Sequence, residues 1–205
     1  MNFQLGREAS LNAGTEVINL RKGERVSLTK ENPNLDKIHV GLGWDENTNV
    51  NKIHDFDLDA SVFMLGEDEK VHNVRDFVFY KNLQSPDGSV VHTGDNLTGN
   101  GDGDDEVIKV QLSKVPDYVK KLVFVVSIYQ AHERRQNFGQ VENAYIRILD
   151  DSTGRELLRY DLTEDYSSYS SVIVGEIYRH GNEWKFNAKG DGAKEELDGL
   201  CLRYG

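Results

Sequence analysis

Residues 55–64 read Asp-Phe-Asp-Leu-Asp-Ala-Ser-Val-Phe-Met. Phe56, Leu58, Ala60, Val62 and Met64 alternate with Asp55, Asp57, Asp59 and Ser61. A strand turns successive side chains to opposite faces. This period of two therefore predicts a half-buried strand, apolar toward a core and acidic on the other side. The pattern recurs upstream and downstream. Ile38, Val40, Leu42 and Trp44 alternate with Lys37, His39, Gly41 and Gly43, and Ile108, Val110 and Leu112 alternate with Lys109 and Gln111. Leu122 to Tyr129 is apolar on both faces and reads as a central strand. Further strands are expected near 76–81, 143–149, 155–162, 171–179 and 183–189. Turn chemistry separates them at Ser85-Pro86-Asp87-Gly88, Asp151-Ser152-Thr153-Gly154 and Gly181-Asn182. Helix is confined to one short turn over 133–137 and a short amphipathic segment over 193–202. In the latter, Leu197, Leu200 and Cys201 fall at i, i+3 and i+4. The expectation is an all-β, two-sheet antiparallel β-sandwich with a short C-terminal helix. Residues 1–15 are read as a flexible leader and 16–205 as the domain.

Composition narrows the function. The chain has 205 residues, of which 38% are hydrophobic, enough for a packed core. Its longest unbroken apolar run, Leu122 to Val126, falls far short of the roughly 20 residues that span a bilayer. The start, Met1 to Glu8, has neither the basic nor the apolar region of a secretory signal. Cys201 is the only cysteine, so no internal disulfide forms. These features point to a reducing, cytoplasmic setting. The net charge of −11 disfavours nucleic acid, whose phosphates call for Lys and Arg, and favours cations.

The acid is concentrated. Residues 55–59 and 95–106 hold eight acidic residues in 17 positions, where the chain average would give about three. In a strand, Asp55, Asp57 and Asp59 share one face, about 6.6–7 Å apart in succession. Such a ridge repels itself unless a cation sits against it. The second stretch reads Asp-Asn-Leu-Thr-Gly-Asn-Gly-Asp-Gly-Asp-Asp-Glu. Its glycines let the backbone turn carbonyls inward, and its side chains offer oxygen only. Ca²⁺ takes 6–8 oxygen ligands in flexible geometry, which suits it better than Mg²⁺ or Zn²⁺ here. The expected ligands are Asp55, Asp57, Asp59, Asp95, Asn96, Gly99, Asp102, Asp104, Asp105 and Glu106, shared by two Ca²⁺ ions. Neither stretch fits the EF-hand spacing: Leu97 and Gly99 fail it in one, Ala60 in the other.

These residues carry a family resemblance. Gly41-Leu-Gly-Trp-Asp45, Asp55-Phe-Asp-Leu-Asp-Ala-Ser61, Asp76-Phe-Val-Phe-Tyr80, the run from Gly94 to Glu106, and Arg134-Arg-Gln-Asn-Phe-Gly-Gln-Val141 resemble the TerD family of tellurium-resistance and stress proteins. The resemblance runs from about Val17 to about Phe186. It implies a Ca²⁺-binding β-sandwich with a role in tellurite and chemical stress resistance.

The remaining motifs are weaker. His39, His54, His72, His92, His132 and His180 are scattered singly and read as structural, with His54 and His92 placed to orient ligands. Gly41-Leu42-Gly43 reads as strand packing rather than a dinucleotide motif. Arg134 and Arg135 follow a central strand, and pairing with the many carboxylates is as good a reading as contact with a partner or anionic ligand. The function expected is that of a non-enzymatic, cytoplasmic Ca²⁺-binding stress protein. Its partners would be calcium ions and either proteins of a stress-response complex or an anionic membrane surface. The alternatives are a metal-dependent phosphoester hydrolase and a cyclic-nucleotide-binding protein.

Overall fold

The structure is a computed structural model that describes residues 8–9 (backbone only), 17–30, 32–49, 52–99, 103–162 and 166–205. Its strands are β1 (Glu8–Ala9), β2 (Ile18–Asn19), β3 (Arg25–Ser27), β4 (Lys37–Gly43), β5 (Leu58–Leu65), β6 (Phe77–Val78), β7 (Val90–His92), β8 (Glu106–Gln111), β9 (Lys121–Ile128), β10 (Tyr145–Asp150), β11 (Arg155–Asp161), β12 (Ser171–His180) and β13 (Glu183–Ala193). The helices are α1 (Ala131–Arg134) and α2 (Leu197–Tyr204). The strands form one sheet in the order β1-β3-β13-β12-β9-β5-β6 and a second in the order β2-β11-β10-β4-β8-β7. All pairings are antiparallel except two short edge ones, β1 with β3 and β2 with β11. The two-sheet sandwich read from the alternation is the observed fold. The last strands are joined by a hairpin at Gly181-Asn182, where Gly181 takes φ +60.

The core lies between the sheets. Leu58, Ala60, Val62 and Met64 of β5 and Leu122, Phe124, Val126 and Ile128 of β9 meet Ile38, Val40 and Leu42 of β4 and Ile108 and Val110 of β8. The outer face of the first sheet is divided. At one end Phe63, Leu65, Val123, Val125 and Ile173 form a second apolar cluster, covered by Leu200 of α2 with Leu197, Cys201 and Tyr204 against it. Phe63, Phe77 and Phe79 stack there at 4.2 and 4.4 Å between successive ring centroids. At the other end the same face carries Asp57, Asp59 and Ser127, all buried. β5 is thus buried on both faces along its whole length. No helix among the described residues is long and apolar enough to cross a membrane.

Two expectations are revised. β5 begins at Leu58, so Asp55 and Asp57 precede the strand and the expected three-carboxylate ridge is not formed. The turn expected over 133–137 is α1, two residues earlier. Gln130 and Arg135 flank it in the left-handed region, at φ 51 and 54. Of the expected leader, Glu8–Ala9 runs parallel to Arg25–Val26, and the rest lies outside the described residues.

Candidate metal centre

The site is built where the two sheets approach at the β5 and β8 starts. β6 reaches only Val62 and Phe63 of β5. The Ala60 N–H on that open edge is taken instead by Glu106 of the opposite sheet, which accepts it at 2.6 Å. Glu106 shares the inward register of Ile108 and Val110, and only 1% of its surface is exposed. Its other oxygen, Oε1, accepts the Asn96 N–H at 3.3 Å, and His92 Nε2 lies 3.4 Å from Oε2. This clasp brings the loop after β7 against the start of β5.

Asp57, Asp59 and Asp95 meet there. One carboxylate oxygen from each lies within 4.8 Å of the other two. Asp57 and Asp59 are 5% and 3% exposed, whereas Asp95 is open to solvent. Arg134 of α1 donates to Asp57 Oδ2 at 3.2 Å. Among the described residues, the buried Asp57 Oδ1 has no hydrogen-bond partner. Burial, then Glu106, Asp57 and Asp95 in turn, push the Asp59 carboxyl up to about 8, against the pull of Arg134. Burial also raises Asp57, with Arg134 opposing. Burial raises Glu106 too, against the pull of the nearby His92 and the Ala60 N–H. Tyr80 is pushed up to about 12 by burial and by the Asp59 charge. Three crowded carboxylates, two of them in the interior, are costly to ionise without a positive charge among them. The donor set is oxygen only, and an orphaned buried oxygen is already present. The residues therefore fit a hard cation of the Ca²⁺ type.

The other expected ligands stand nearby or apart. Asn96, Asp105 and Glu106 form a linked network: Asn96 Nδ2 donates to Asp105 Oδ1 at 2.9 Å, and the Trp44 N–H donates to Asp105 Oδ2 at 3.0 Å. Asn96 Oδ1 accepts the Thr98 and Gly99 N–H groups, which shapes the loop. Gly99 has φ +70 and abuts the Trp44 indole, where a Cβ would sit 2.4 Å from Nε1. Asp55 lies apart from the three carboxylates and pairs with Lys52. Asp104 faces the outside of the second sheet. There Arg147 binds it through two donors at 2.8 and 3.1 Å, with His39 at 2.8 Å and Tyr145 at 3.1 Å. Burial raises its pKa, yet His39 and Arg147 hold it below the usual value. Asp102 lies outside the described residues.

Sequence reasoning left Arg134 among several readings and gave Arg147 and Tyr80 no role. The one available signal was Gly41. It lies opposite Arg147, and a Cβ there would fall 2.1 Å from Asp104 Oδ2. A glycine in a strand marks close approach by another group.

The comparisons with known proteins agree with this architecture. The model of the TerD domain matches residues 17–204. The chain belongs to the TerD family. It is 51% identical over 188 residues to the tellurium resistance protein TerD of Serratia marcescens, covering 92% of this chain and 97% of that one. It is 53% identical to general stress protein 16U of Bacillus subtilis, again over 92% of this chain and 97% of that one. Among solved structures, a telluride resistance protein (TerD) homologue from Streptomyces coelicolor superposes with a TM-score of 0.69, covering 82% of this chain and 95% of that one. At 20% identity that likeness shows the fold alone.

Proposed function

We propose that this TerD-family chain is a cytoplasmic Ca²⁺-binding protein of the stress response, working as a binder rather than a catalyst. One observation carries the reading: three carboxylates converge within 4.8 Å, two of them buried, and Asp57 Oδ1 has no partner among the described residues. Asp57, Asp59 and Asp95 would hold one ion, which would supply the positive charge that lets all three ionise together. A second ion would draw on Asp105 and the Gly/Asp loop around Asp102. Stress and tellurium resistance enter from the names of the relatives. Partners would be proteins of a stress-response complex or an anionic membrane surface, engaged by the bound ions. An ion that binds only the folded chain raises its stability by linkage.

Calorimetry of the chelator-stripped protein with Ca²⁺, with melting followed in parallel, tests the reading. Binding that raises the melting temperature, and that weakens in Asp57→Asn, is expected. The absence of both heat and melting shift in the unaltered chain would overturn it.

A further inference from the structure

Arg134 is bound to one of the three converging carboxylates. Its guanidinium donates to Asp57 Oδ2 and lies over the Tyr129 ring, 4.9 Å from the centroid. It closes a four-residue helix held between two left-handed residues. That helix is tied at both ends. The His132 N–H donates to Glu196 Oε1 at 2.6 Å, and Gln136 Nε2 donates to the Asp55 carbonyl at 3.0 Å. Arg134 also lines a cleft of about 710 Å³ together with Glu46, Glu133 and Glu142. Among the described residues, those three carboxylates make no ion pair.

We infer that Arg134 is a resident counter-cation that an incoming metal ion displaces from Asp57, and that the cleft beside it receives the displaced guanidinium. The inference rests on the Ca²⁺ reading above. A dication and a guanidinium on one carboxylate repel steeply at the effective dielectric of a half-buried site. The guanidinium is the mobile one of the two, because a flexible side chain carries it. Glu46, Glu133 and Glu142 would give it a second place to rest in the cleft it already borders, where Arg135 and Lys52, the latter held by Asp55, also lie. Metal occupancy would then change the charge and shape of a cavity large enough for a partner's side chains or a small ligand. The site and the cleft would act as one device.

The test is Ca²⁺ calorimetry and melting on the full chain, unaltered and as Arg134→Gln and Arg134→Lys. A hydrogen bond between charged groups is removed in the first variant, so Ca²⁺ should bind roughly tenfold or more tightly. The same variant should melt lower than the unaltered chain without metal and gain more on adding Ca²⁺. Arg134→Lys keeps the competing charge and should bind close to the unaltered chain, which guards against a general folding defect. Ca²⁺ binding to the unaltered chain, with Arg134→Gln equal or weaker, would overturn the inference and leave the metal reading intact. Binding to Arg134→Gln alone would support the inference in its strongest form. No binding to any of the three would overturn the metal reading and this inference with it.

Discussion

Asp59→Asn should stabilise the metal-free protein while abolishing its response to Ca²⁺. The Asp59 carboxyl sits at about 8 in the fold against an ordinary value of 3.8. Between those values the folded chain keeps a proton that the unfolded chain has released. Unfolding therefore becomes easier as pH rises, by about 1.4 kcal/mol per pH unit. From pH 4 to pH 7 this comes to roughly 4 kcal/mol if Asp59 titrated alone. The neighbouring charges of Glu106, Asp57 and Asp95 supply part of that rise, so about 2 kcal/mol is taken as the share of Asp59 itself. Asn keeps the shape, removes the charge and offers N–H donors to Asp57 and Asp95. For a chain of this size the gain is about 4–8 °C in melting temperature at neutral pH. The assay is melting by circular dichroism from pH 4 to 9, with chelator and with Ca²⁺. The unaltered chain in chelator should lose stability as pH rises through this window, and Asp59→Asn should lose much less. Ca²⁺ should restore the unaltered chain at pH 8 and do little for the variant. A variant that melts lower at pH 8 in chelator, or an unaltered chain whose metal-free melting does not fall between pH 4 and 8, would refute the reasoning.

Two further outcomes follow from the packing. Asp104→Asn breaks a nearly buried carboxylate contact with Arg147, His39 and Tyr145. It should cost about 2–4 kcal/mol, measured by urea unfolding, and change Ca²⁺ binding little. Leu200→Ala removes a fully buried side chain from the outer cluster over Phe63 and Val125. It should cost about 2–5 kcal/mol and raise dye binding to exposed apolar surface as α2 loosens.

The strand pattern was legible because burial imposes it. Residues 56, 58, 60, 62 and 64 all face the core, as period two requires. Glu106 was read only as a ligand at the end of the Gly/Asp loop; in the fold it continues the register of Ile108 and Val110 inward, and a carboxylate in core register signals a special role. What the alternation did not carry was where the strand begins. Asp55 shares parity with Asp57 and Asp59, but β5 begins only at Leu58, and Lys52 draws Asp55 away. Asp104 and Asp105 are equal in composition and adjacent in sequence, yet they belong to different environments. Strand pairing places Arg147 opposite Gly41, and the missing Cβ there opens the space that Asp104 fills. Arg134 meets Asp57 across 77 positions, and nothing local to either residue announces that contact.

The order of strands in the first sheet has a consequence for how the chain folds. β3 lies near the start of the chain, yet its antiparallel partner is β13, near the end. β9 and β5 sit beyond β12, so the sheet is continuous only once β12 and β13 are in place. The second sheet is less demanding, since β4, β7 and β8 are all present by residue 111. During synthesis the emerging chain thus gains half of the second sheet early, while β5 and β9 wait for β12 with apolar residues on both faces. Pairings that span most of the chain form slowly, and waiting apolar strands are prone to association. A chain cut before Ser171 would keep this exposure permanently, so loss of the C-terminal hairpin and α2 should yield aggregates rather than a smaller folded protein.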